Sequence, residues 1–345
     1  MRTIAAISVA TAIAITLPTS AHADATQTGS TPITTPGYEF SLIGEHNLPG
    51  TTRYAGTTVG GITGVDYDQA SGGFRLLSDD RGDTRFYTGR FTLHGNCPKP
   101  VLTGVSRLRE ADGGRIAGAD PQALRYDAAT RRVLWADAGE RTTRLKTDPA
   151  VREATAKGTH VGRFATPDVQ KVAVDGQGAQ RGLSLSGLAL TPDGGQVLTA
   201  LRGPLAQDGD AIRLTLHDRA SGDPLVQFAY RAENGISEIL SLDESRFLVL
   251  EQAGANSAKL YEIDFALGAT NVADLPALAG QSFLPVTKRL VLDLTRLGLK
   301  RVDDLEAATW GPTLADGTRT LVFVSDNGLD RRQHTQLIAV KVRLL

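Results

Sequence analysis

The sequence predicts an all-β fold, a β-propeller of four-stranded blades, on three observations. One unit recurs five times. Each copy alternates short apolar runs with Asp- and Gly-rich turns. The last copy stops one strand short, while a spare strand-like segment, YEFSLIGEHNL at 38–48, stands near the start of the folded region. The copies cover residues 60–91, 120–148, 183–218, 235–265 and 304–344. Four strands per unit at roughly 50- to 70-residue intervals suits propeller blades better than a sandwich or a solenoid, whose periods are shorter or less regular. A literal count is five blades; six follows if the longer gaps hide a degenerate one.

The elements justify themselves in chain order. Residues 1–23 carry Arg2, then an apolar stretch at 4–17, then the small-x-small site Ala21-His22-Ala23. That is the grammar of a secretory signal peptide, and the apolar stretch is shorter than the ~20 residues a membrane span needs. Residues 24–37 are rich in Thr, Pro, Gly and Ser and read as a disordered lead-in. Residues 38–345 then form one propeller domain. Within each copy the first strand is short, and the second is a dense apolar run: FRLLS, RVLWA, QVLTA, RFLVL or TLVFV. Runs of this length between turn signals are strands buried on both faces. Fourth strands are expected at 101–107, 169–174, 225–230 and 289–294, and the segment at 38–48 supplies the one missing from the last blade. Closing the ring this way removes an exposed sheet edge. The copies are aligned on Gly64, Ala123, Gly187, Ile239 and Ala307.

Composition excludes several functions. The formal charge is −1, so no basic excess points to nucleic acid or to an anionic membrane surface. Cys97 is the only cysteine, which rules out an internal disulfide and a cysteine-based zinc site. No phosphate-cradling glycine loop opens a helix, so no nucleotide or organic cofactor is expected. Beyond the signal peptide no apolar run is long enough to span a bilayer. The expectation is an exported monomer, periplasmic or extracellular, without membrane insertion.

Propeller topology sorts the loops. The first-to-second turns (DYDQASGG, YDAATRR, TPDGGQ, SLDESR, LADGTR) lie on one face and read as ordinary Asx and Gly turns. The other face collects SDDRGDTR, ADAGERT, LRGPLAQDGD, EQAGAN and SDNGLDRR, together with the blade starts bearing Asp120, Gln122, Ser186, Glu238, Asp304 and Glu306. Carboxylates and arginines from different blades therefore converge on one channel mouth. Hard cations take carboxylate oxygens, and arginines clamp phosphate or carboxylate. On this basis Asp79, Asp80 and Asp326 are candidate metal ligands, Arg81 and Arg202 candidate clamps for a small anionic ester, and Glu238 or Glu306 a candidate general base. The competing role for the same charges is ion pairing that only ties blades together. Arg81-Gly82-Asp83 is read as part of this loop, not as an adhesion tripeptide. GLSLSG at 182–187 misses the nucleophile-elbow spacing and is followed by strand, turn and strand, which counts against Ser184 and Ser186 as nucleophiles. His334 lies beside the candidate face as an acid or base.

GGITGVDYD with LLSDDRGDTRFYT, LSGLALTPDG with ALRGPLAQDG, NGISEILSLDESRFLVLE, and DDLEAATWGP with VFVSDNG together resemble the phytase-like family of secreted bacterial propeller proteins, described by esterase-like activity of phytase. The resemblance implies hydrolysis of phosphate or carboxylic esters, with calcium as the implied metal. The chain departs from the family pattern at Gln122-Ala123 and Ser186-Gly187, where the family carries Glu-Gly. Two functions follow as alternatives: an exported, metal-assisted ester hydrolase, or a non-catalytic envelope propeller that binds a ligand or a protein partner.

Overall fold

The computed structural model describes residues 31–94, 97–173 and 176–345. The signal peptide, and the lead-in up to residue 30, lie outside the described residues. Five antiparallel four-stranded blades form a ring. Blade 1 runs Ile62–Asp68, Gly73–Ser78, Arg85–His94 and Cys97–Arg107 from the axis outward, and blade 2 runs Pro121–Asp127, Arg132–Asp137, Ala150–Thr155 and His160–Arg163. Blade 3 holds Leu185–Leu190, Gln196–Leu201, Ala211–Asp218 and Pro224–Arg231. Blade 4 holds Gly235–Ser241, Arg246–Gln252, Lys259–Asp264 and Lys288–Asp293. Blade 5 holds Leu305–Trp310, Arg319–Ser325 and His334–Leu344, completed by the N-terminal strand Tyr38–Pro49. That strand pairs antiparallel with the last one, from Tyr38 opposite Leu344 to Pro49 opposite His334. Each innermost strand touches its two neighbours, and blade 5 touches blade 1, so the ring is closed.

The second strands explain why their sequences are so apolar. Each is covered on both faces by adjacent blades. Leu77, Phe86, Leu124 and Trp135 pack between blades 1 and 2; Val65, Phe74, Val322 and Val324 pack between blades 5 and 1. Leu248, Leu305, Phe323 and Ile338 do the same between blades 4 and 5. The turns joining first and second strands behave as read. The Asp68 carboxylate accepts from Ala70 N and Ser71 Oγ, and Asp127, Asp193, Asp243 and Asp316 accept from backbone two residues on.

Two expectations need correction. The fourth strand of blade 2 is His160–Arg163, not 169–174. Residues Asp168–Gln170 form a 3-10 turn, and Gln170 Nε2 donates to Thr215 Oγ1 of blade 3 at 2.9 Å. HVGR has one apolar residue and so gives no strand signal, whereas VQKVAV does; Val174 itself lies outside the described residues. The lead-in, expected to be disordered through residue 37, contains the short strand Ile33–Thr35, which adds a fifth strand to blade 5. The long gap after Lys259–Asp264 is not a sixth blade. It folds along the outer edge of blade 3, where Val272 N donates to Gln227 O and Val286 N to Ala229 O. The fully buried Arg213–Asp208 pair fastens it, Arg213 donating also to Val272 O and Leu275 O. An otherwise open edge is thereby covered.

Candidate functional site

The innermost strands share one irregularity. All five have a β-bulge at the same height, falling on Thr63, Gln122, Ser186, Ser237 and Glu306. A bulge re-aims side chains, and bulges gather next to functional sites. Thr63 Oγ1 donates to Pro121 O of blade 2 at 2.9 Å, and Ser186 Oγ to Ile236 O of blade 4 at 2.7 Å. The latter bond, with its burial, gives Ser186 the role of a tie between blades.

The bulges also correct the alignment. The residue after the bulge is Gly64, Ala123, Gly187, Glu238 and Ala307, so Glu238, not Ile239, is the equivalent of the small residues. Alignment on Ile239 sets blade 4 one residue out of step, and a one-residue slip reverses a strand's side chains. Small residues are needed at this height because the blades converge: a Cβ on Gly64 would stand 2.8 Å from Leu124 N, and one on Gly187 3.1 Å from Ile239 Cγ1. Glu238 fills the middle of the channel instead of its mouth. It is fully buried, accepts from Leu188 N and Ile239 N, and lies 3.1 Å from Arg125 Nη2. Arg125 crosses from blade 2, donating to Val65 O of blade 1 and Ile239 O of blade 4. Burial pushes the Glu238 carboxyl up to about 8 against the pull of Arg125. Together these two residues plug the axis. Arg125 went unnoticed in the sequence; a charged residue inside a first strand, as in ALRYD, was the available signal.

Above the plug, one mouth gathers Asp79, Asp326, Arg81, Arg202 and Glu306. Asp79 and Asp326 each follow the second strand of their blades, and blades 5 and 1 are neighbours, so the two carboxylates face the same space. Asp79 N donates to Gly61 O, and Asp326 N to Asp304 O. Asn327 locks the seam, its Oδ1 accepting from Gly61 N at 2.8 Å and from Leu329 N. Burial raises Asp79 to about 7, helped by the nearby charges of Asp326 and Asp120. Its Oδ1 is buried without a hydrogen-bond partner. Burial likewise raises Asp326 to about 6, with Glu306 and Asp304 adding repulsion.

The arginines at this mouth are matched. Arg81 pairs with Asp120 and, at 2.8 Å, with Glu140, both of blade 2. Arg202 reaches from blade 3 past blade 4 to Glu306 of blade 5, bonding both carboxylate oxygens at 2.5 and 2.6 Å. Asp80 points elsewhere. It accepts from Gly82 N and Asp83 N and pairs with the buried Arg85 at 2.6 Å. Asp83 in turn holds Arg107 of its own blade and Arg109, which leads on to the edge of blade 2. The Arg-Gly-Asp string is thus divided, Arg81 to the mouth and Asp83 to the blade edge. His334 Nε2 lies 2.9 Å from Asp303, which also pairs with Arg301.

A family model described as phytase-like, esterase-like activity of phytase, matches residues 57–329. The chain belongs to the phytase-like family. No curated protein matches it significantly. Among solved structures, hydrazine synthase of Kuenenia stuttgartiensis is similar at 13% identity and TM-score 0.44, covering 85% of this chain and 99% of that one. The Dos1 propeller is similar at 7% identity and TM-score 0.39, covering 88% and 75%. A nidogen/laminin complex is similar at 10% identity and TM-score 0.39, covering 91% and 97%.

The phytase-like resemblance implies calcium, and the proposed ligand set can be tested against the geometry. Asp79, Asp80 and Asp326 do not form one set, because Arg85 and two backbone amides hold Asp80 in its loop. Among the described residues no group of three His, Cys, Asp or Glu side chains is arranged to hold a metal ion. The residues therefore do not fit the three-aspartate site expected from the sequence, and the chemistry considered below uses side chains alone.

Proposed function

We propose that this phytase-like propeller is an ester hydrolase acting at the Asp79/Asp326 mouth. The observation that supports this reading is the carboxylate pair itself: two aspartates from neighbouring blades, raised to about 7 and about 6, with one buried oxygen left unbonded. Between those values the pair carries one carboxyl and one carboxylate, the acid and the base that ester hydrolysis needs at neutral pH. The carboxylate takes a proton from water as its oxygen attacks the ester carbon. The carboxyl returns a proton to the departing alkoxide, and the pair regains its starting charge.

The mouth is acidic, and both arginines are already engaged by carboxylates. This favours a neutral carboxylic ester over a phosphate ester, in contrast to the anionic substrate expected from the loops alone. Export of the enzyme remains part of the proposal on the strength of residues 1–23. The test is hydrolysis of p-nitrophenyl acetate, p-nitrophenyl phosphate and phytate by the mature protein, with calcium and with chelator, beside Asp79→Asn and Asp326→Asn. Turnover of the acetate in a bell-shaped pH profile, lost in both variants, supports the assignment. A folded protein with no turnover on any of the three, or turnover indifferent to both variants, overturns it.

One observation favours the second reading, a non-catalytic envelope propeller. Arg81–Asp120 joins adjacent blades and Arg202–Glu306 bridges blade 3 to blade 5, ties that a purely structural ring also uses. Loss of folding without any measurable turnover in the wild type is its expected signature when these pairs are broken.

A further inference from the structure

A cavity opens at the opposite mouth, among the first-to-second turns. It has a volume of about 290 Å³ and is lined by the ends of the five innermost strands. Volumes near 300 Å³ lie at the small end of ligand sites. The floor is self-contained. Arg125 is held by the carbonyls of Val65, Leu124 and Ile239 and faces Glu238, and Asp66 accepts from Tyr126 N at 2.8 Å with Arg125 and Arg75 nearby. Neither asks for an external partner.

The walls are divided. Leu190 and Pro192 of blade 3 and Leu240 and Leu242 of blade 4 make an apolar side, and Trp310 and Arg319 of blade 5 face the same space. Arg319 has no carboxylate partner: its guanidinium stacks 3.5 Å above the Trp310 ring, and among the described residues no carboxylate lies within ion-pairing distance of it. It is also partly desolvated, which holds its pKa below the usual arginine value. Trp310 is fixed in turn, its Nε1 donating to Ser241 O at 2.9 Å. The cavity thus has an apolar wall and, in Arg319, a cation with no carboxylate at ion-pairing distance.

We propose that this mouth is a second binding site, for a small carboxylate that carries an apolar ring or chain. The carboxylate meets Arg319, whose planar fork suits two oxygens, and the apolar body lies against the leucines and Pro192. The site is separate from the Asp79/Asp326 mouth, since the Arg125–Glu238 plug stands between them, and it does not depend on catalysis there.

The test uses cyclohexanecarboxylate, with cyclohexylmethanol as the neutral analogue and cyclohexylmethylamine as the cationic one. Calorimetry gives affinity. The indole N–H signals of the two tryptophans, Trp310 and the buried Trp135, report location. The expected result is saturable binding of the carboxylate that shifts the Trp310 signal and leaves Trp135 in place. The alcohol should bind at least tenfold more weakly and the amine not at all. Arg319→Gln should weaken the carboxylate at least tenfold with unfolding unchanged, and Arg319→Lys should restore part of it. Leu242→Asn should weaken it by a smaller factor. The proposal is overturned by equal binding of acid and alcohol, by an unchanged affinity in Arg319→Gln, by a shift at Trp135 alone, or by no saturable binding at millimolar carboxylate.

Discussion

The raised carboxyl of Asp79 makes stability depend on pH in a defined direction. Its folded-state value is about 7 against an ordinary 3.8. At ~1.4 kcal/mol per unit this amounts to roughly 4 kcal/mol of unfavourable charge once the group is ionised, and partial solvent access brings it nearer 2. Because the folded value lies above the unfolded one, the unfolded chain gives up its proton first. Folded stability therefore falls as pH rises from about 4 to about 7, and levels off above that. Asp79→Asn removes this loss. The variant should match or fall slightly below the wild type near pH 4 and exceed it by about 2–4 kcal/mol at pH 8. In the same variant Asp326 loses a repelling neighbour. The assay is urea unfolding of both proteins at intervals from pH 4 to pH 8, taking the difference in unfolding free energy at each. A difference that does not grow with pH, or that grows with the opposite sign, refutes the argument that Asp79 is held against its preferred charge by burial and its acidic neighbours.

Other perturbations follow from the same geometry. Gly61 sits at φ +60°, and a Cβ there would overlap the Asp79 carboxylate, so Gly61→Ala should cost at least ~1–3 kcal/mol in urea unfolding. At pH 9, where Glu238 is ionised, Glu238→Ala leaves Arg125 as an uncompensated buried charge and should cost about 3–5 kcal/mol, whereas the double change Glu238→Leu with Arg125→Met should recover most of that, as a double-mutant cycle will show. Removal of residues up to Pro49 strips blade 5 of its outer strand and exposes the edge of His334–Leu344. The expected outcome is self-association on size-exclusion chromatography and loss of a single cooperative transition.

Much of this was legible in the sequence, for reasons that are local. The five dense runs from FRLLS to TLVFV mark second strands because a strand covered on both faces must be apolar throughout. The Asp turns mark hairpins because a carboxylate two residues before a free amide closes them. Even the seam was visible: the last copy lacked a strand and 38–48 offered one. The neighbourhood of Asp79 and Asp326 follows from that closure, since it puts blade 5 beside blade 1. HVGR was illegible because an outer strand with one face exposed and the other only half-buried has no apolar pattern to show.

What the sequence by itself determined, then, is the blade, its repetition and the sorting of loops between two mouths, each set by hydrogen bonds and burial over a few neighbouring residues. What only the tertiary structure decided is which charges meet. A bulge of one residue in each innermost strand moved Glu238 from the mouth into the channel, where it met Arg125. Arg85 drew Asp80 out of the proposed ligand set, and Arg202 reached past blade 4 to Glu306. The open cavity with Arg319 is likewise assembled from all five blades. The Arg125–Glu238 and Arg202–Glu306 pairings join residues more than a hundred positions apart, and their partners depend on strand register around a closed ring, a quantity that no short window of sequence contains.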